Sequence, residues 1–208
     1  IMTERIAAII SERFIASADY VFDIHCASVG GEWLPYVHVP TAADGVSGEI
    51  IAESTRISRA WGAPMILPGN IHGSLLGEAY RQGKVAGSVE FGVATFSTRP
   101  ERIWGRTGVI NLFKAAGMLP GEPEFELEHE PYTVTSMTKI ITDRGGFLHE
   151  RAQVGDRVSK GDVLSLMMSL DGEEIASFEA PHDGVVCRRN TMGVVGTGDI
   201  IAYVAKVE

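Results

Sequence analysis

Cysteine is scarce in this chain: Cys26 and Cys187 are the only two in 208 residues. That excludes a disulfide-stapled secreted scaffold. The two are expected in different domains, so the default is a pair of free thiols in a reducing cytoplasm. Long apolar runs are missing as well. No stretch approaches the roughly 20 residues of a membrane span, and residues 1 to 15 lack the basic start and cleavage site of an export signal. Positive charge is the third shortage, with 18 Lys and Arg against 27 Asp and Glu and a formal charge of −9. Nucleic acid and anionic membranes select clustered cations, so neither is expected as a partner.

What is present is ordinary globular material, 45% hydrophobic and 22% charged, enough for one large or two modest cores. Met2, Ile6, Ile9, Ile10 and Phe14 fall at helical spacing, and Tyr20 to Ile24 reads as a strand. Ile50, Ile51, Ile57 and Trp61 mark a second amphipathic helix that Ser47 could cap. Ala63 to Leu67 is a short strand stopped by Pro68-Gly69-Asn70. Ser74 to Gln82 is a third helix closed by Gly83, and Ala86 to Phe91 is the next strand. Val109, Leu112, Phe113 and Ala116 form the stripe of a last helix, ended by Gly117. Strand and helix in alternation imply a mostly parallel sheet flanked by helices.

Pro120 to Pro131 breaks this rhythm with three prolines and five glutamates, the composition of a linker. Beyond it, short strands are separated by turns at Gly145-Gly146, Gly155-Asp156, Gly161-Asp162, Asp171-Gly172, Asp183-Gly184, Gly193 and Gly196 to Asp199. That spacing suits a small all-β barrel. The expected organisation is an α/β domain over residues 1–121, a linker over 122–131 and a barrel over 132–208.

The candidate chemistry lies in the first domain. Asp23-Ile24-His25 closes the run Tyr20-Val21-Phe22 and opens the loop Cys26 to Gly31. Period two along a strand points Asp23 and His25 to one side, at the strand end where α/β proteins gather ligands. Glu90, in Val89-Glu90-Phe91-Gly92, places a carboxylate near the end of another strand. His72 reads as a turn histidine, Cys26 as a small buried residue, and Gly193-Val-Val-Gly196 as a barrel turn with no helix behind it to cradle phosphate.

The order Asp23-x-His25, then Val89-Glu90-Phe91-Gly92, then the barrel signatures Asp143-Arg-Gly-Gly-Phe147, Val154 to Asp162 and Ala180-Pro-His-Asp-Gly-Val-Val186 resembles the succinylglutamate desuccinylase and aspartoacylase family. These are zinc amidohydrolases with a carboxypeptidase-like fold. The resemblance covers nearly the whole chain but starts partway into the family's pattern. It implies a deacylase that cleaves the amide of an N-acyl amino acid, such as succinylglutamate or N-acetylaspartate. It makes Zn2+ the cofactor, His25 a zinc ligand, Glu90 the catalytic base that takes the water's proton and passes it to the leaving amine, and Asp23 an orienting neighbour.

The family's early His-x-x-Glu zinc motif is absent: none of His25, His38, His72, His129, His149 and His182 has Glu three residues later. The chain is therefore expected to be the C-terminal portion of a larger enzyme, or one that has lost its first two ligands. The alternative function is a non-catalytic binding or scaffold protein. Carboxylate-bearing substrates call for arginine clamps. Arg81, Arg99, Arg102 and Arg106 are nearby in sequence without any one standing out, so the substrate-binding residues stay open. The barrel is similar to the lipoyl and biotinyl carriers, yet its hairpin Leu166 to Glu173 has no lysine to modify. It is expected to pack at the active-site entrance or at a homo-oligomer interface.

Overall fold

Alternating apolar and polar stretches become alternating helices and strands in the computed structural model, which describes residues 1–69, 73–93, 98–124, 127 and 129–208. The chain divides into two units: Ile1–His25, Tyr36–Glu90 and Arg99–Pro131 form the first, and Cys26–Pro35, Phe91–Thr98 and Tyr132–Glu208 the second.

In the first unit the opening apolar pattern forms α1 (Met2–Ile9), continued by a π-helical turn over Ile10–Ile15. The expected apolar stripe is there, but α1 buries none of its residues, and only Ile15 of the π turn enters the core. Strand β1 (Tyr20–His25) follows. Then comes β2 (Gly31–Val39), which was not expected because Gly31 and Pro35 lie within it. Its first half, through Pro35, belongs to the second unit.

Helix α2 (Gly48–Arg59) starts where Ser47 Oγ accepts from the Ile50 N–H, the cap expected of serine at this position. Strand β3 (Met65–Pro68), α3 (Leu75–Arg81) capped by Ser74, β4 (Val85–Val93) and α4 (Arg99–Ala115) complete the series. Gly83 and Gly117 follow α3 and α4 with φ of 68° and 71°, the left-handed conformation that ends helices at glycine.

The strands of this unit lie in the order β1-β4-β2-β3. β1 runs parallel to β4 and β2 parallel to β3, as the alternation of helix and strand implies. The sheet packs on α2 and α4 through Trp61, 1% exposed, which stacks on Phe22 at 5.5 Å and meets Trp104 edge-on at 5.7 Å. Gly108 admits α4 to this cluster: a Cβ there would lie 2.3 Å from the Trp61 ring. Past α4, Pro120 to Pro131 holds no regular element among its described residues. The buried Asn111 side chain pairs with both the N–H and the C=O of Glu124, at 2.9 and 2.8 Å, and fastens it to the helix.

The second unit is antiparallel. Strands β5 (Tyr132–Ile141), β12 (Ile200–Val207), β10 (Gly184–Asn190) and β7 (Arg157–Val158) pair in that order, and the first half of β2 pairs with β10. A second sheet has the order β11 (Val194–Val195), β6 (Gly146–Glu150), β8 (Val163–Met168), β9 (Glu174–Glu179). The fold includes a closed barrel of five strands.

Three turns in this unit share one construction. Gly155, Gly161 and Gly198 take φ of 96°, 93° and 89°. Each is followed by an aspartate, Asp156, Asp162 or Asp199, whose carboxylate accepts the N–H three residues earlier at 2.7 Å. Its own N–H donates to the carbonyl of that same residue. Glycine at the third position of such a turn is what positive φ requires. Cys26 and Cys187 both fall in the second unit and both are free thiols. Burial pushes the Cys187 thiol up to about 12.

Candidate functional site

Parallel pairing decides which side chains meet. In the β1–β4 register His25 is the Cα partner of Glu90 and Asp23 the partner of Ser88. Residues opposite one another on adjacent strands project from the same face of a sheet. Two residues 65 positions apart in sequence are thereby brought side by side at the carboxyl end of β1.

His25 is exposed and Glu90 half-buried. Asp23, 21% exposed, binds His25 directly: its Oδ2 lies 2.8 Å from His25 Nε2. The two-residue spacing on a strand makes that bond available, since both side chains share one side. With Nε2 held by Asp23, Nδ1 is the ring nitrogen that Asp23 leaves uncommitted. A carboxylate gripping one imidazole nitrogen fixes the orientation of the ring.

His38 is a residue that sequence reasoning passed over. It lies near the end of β2, the strand beside β4 in the sheet, and is 6% exposed. Its Nδ1 is 3.1 Å from the Gly69 carbonyl, and its ring meets Tyr36 edge-on at 5.4 Å. Burial lowers its pKa, the Gly69 bond opposes that, and the charge of His25 lowers it further. Only the pairing of β2 with β3 could have revealed His38, because His38 and Gly69 are 31 residues apart.

The arginines are exposed, and Arg81 makes a two-point bond to Glu78, 2.6 Å at each contact. Its guanidinium and the Ser11 and Gln82 side chains together draw the Glu78 carboxyl down to about 2. The nearby cavity of about 820 Å3, lined by Ile10, Ser11, Tyr80 and Arg81 among others, includes none of Asp23, His25 and Glu90. His72 lies outside the described residues. Among the described residues, no group of three His, Cys, Asp or Glu side chains could hold a metal.

This fold is that of succinylglutamate desuccinylase and aspartoacylase structures. The ectoine utilization protein EutE (DoeB) of Ruegeria pomeroyi superposes with a TM-score of 0.87 at 23% identity over 99% of this chain and 63% of its own. A succinylglutamate desuccinylase from a Silicibacter species gives 0.86 at 21% identity over 99% and 63%. An aspartoacylase family protein of Mesorhizobium loti gives 0.71 at 24% identity over 99% and 68%. The chain thus spans a little under two thirds of the length of the first two. No protein-family model matches it, and no curated protein sequence does.

Proposed function

We propose that the chain belongs to a deacylase that hydrolyses the linear amide of an N-acyl amino acid, such as succinylglutamate or N-acetylaspartate, with Glu90 as the proton carrier. The observation that carries this reading is the pairing of His25 with Glu90 on adjacent parallel strands, within a fold shared with proteins named as desuccinylase and aspartoacylase. A half-buried carboxylate near a strand end is suited to take a proton from water and return it to the departing amine. Asp23 holds the His25 ring in a fixed orientation beside it.

Zinc is the cofactor that the resemblance implies. A catalytic zinc takes about three protein ligands and a water. From the expected set the described residues offer His25, and they contain no three-ligand group. The described residues of this chain therefore do not by themselves fit a catalytic zinc.

The test is Glu90→Gln in the protein as its gene encodes it, assayed on a panel of N-acyl amino acids. Loss of a general base costs about 10² to 10⁴ in kcat, with an unchanged unfolding midpoint. Near wild-type turnover in this variant would remove Glu90 from the reaction.

A further inference from the structure

His38 has two ring nitrogens with different surroundings. A carbonyl oxygen only accepts hydrogen bonds, so the nitrogen 3.1 Å from Gly69 O must carry the proton. In the neutral ring that leaves Nε2 as a bare lone pair. Among the described residues no group donates to it. An imidazole 6% exposed, fixed at one nitrogen and offering an acceptor at the other, is a prepared recognition element. Its strand neighbours the strand of Glu90.

An N-acyl amino acid carries carboxylates and carbonyls, which only accept, and one donor common to the whole class, the N–H of the scissile amide. We propose that His38 is a further residue of the site: with its Nδ1–H committed to Gly69, its Nε2 accepts a hydrogen bond from that amide N–H and fixes the rotation of the amide beside Glu90. This rests on the deacylase reading above. It also gives the site a means to prefer amides over the matching esters, because a site built to hydrogen-bond a donor discriminates against the analogue that lacks it.

The experiment compares each N-acyl amino acid with its 2-acyloxy acid counterpart, in which oxygen replaces the N–H. His38→Asn keeps a donor for Gly69 and removes the acceptor. It is expected to lower kcat/KM for the amide about 3- to 10-fold more than for the ester, the worth of one neutral hydrogen bond. His38→Gln, whose side-chain oxygen accepts near the Nε2 position, is expected to hold the amide-to-ester ratio close to wild type, even if the loss of the Gly69 bond lowers both rates. Equal losses on amide and ester in His38→Asn, or no loss, overturn the proposal. So does a nitrogen NMR spectrum of the wild-type protein showing the His38 proton on Nε2, a readout that needs no substrate and no variant. If wild type cleaves neither substrate, the deacylase reading fails and this inference falls with it. If wild type cleaves the amide and the ratio does not move, this inference alone fails.

Discussion

The two units put their ionisable side chains to different uses. In the second, carboxylates and guanidinium groups are fasteners: Asp156, Asp162 and Asp199 close glycine turns, and Arg189 joins Glu32, at 2.5 Å, to Glu150. Arg188, 5% exposed, lies 5.8 Å from the ring centres of both Trp33 and Tyr203. In the first unit, Trp61 and its aromatic neighbours share the fastening with pairs such as Glu78–Arg81, while Asp23, His25, Glu90 and His38 are carried near the ends of strands. A charge bound to its own backbone is spent on stability. One held near a strand end is available for chemistry. The difference predicts where substitutions cost stability and where they cost turnover.

The largest expected effect on folding is in the aromatic cluster. Trp61→Ala removes a fully buried indole between Phe22 and Trp104 and should lower unfolding free energy by about 3 to 5 kcal/mol, measured by urea titration. A loss below about 1 kcal/mol would mean that the cluster is not what holds the first unit. A smaller effect is expected in the second unit. Asp199→Ala removes the acceptor for the Gly196 N–H and should cost about 1 kcal/mol, while kcat/KM on N-acyl amino acids stays at the wild-type value. A fall in turnover at matched folding would break the division of labour between the units.

The smallest effect is acid sensitivity at His38. Burial holds its folded pKa below the ordinary 6.5, so the unfolded chain takes up this proton first. Stability is then complete above about 6.5 and falls as pH drops through the lowered value. His38→Asn should flatten that part of the stability curve between pH 7 and 5. A slope unchanged by the substitution would assign the acid sensitivity to other groups.

Much of this was readable from local chemistry. Ser47 and Ser74 cap α2 and α3, Gly83 and Gly117 end α3 and α4, and the Gly-Asp pairs turn the second unit, because each of these signals acts within a few residues. Asp23 and His25 were legible as a pair because two positions along a strand share a side. Strand β2 was not, since Gly31 and Pro35 disfavour strands in isolation. What holds it is pairing on both halves, Gly31 to Trp33 with β10 and Tyr36 to Val39 with β3. His38 was hidden for the same reason: its role depends on Gly69, which register alone brings near. The assignment of Cys26–Pro35 to the second unit also arises from long-range pairing and leaves no trace in composition. The apolar stripe of α1 was visible, but a stripe reveals a face and not what covers it.

The central claim is that the His25 and Glu90 strand ends serve amide hydrolysis. The most direct measurement is the release of free amino acid from a panel of N-acyl amino acids by the protein as its gene encodes it, compared with its His25→Ala variant. Release of the amine in step with the acid from at least one substrate, abolished in His25→Ala at an unchanged unfolding midpoint, is the expected result. Undiminished release by His25→Ala, or none from any substrate by wild type, would contradict it.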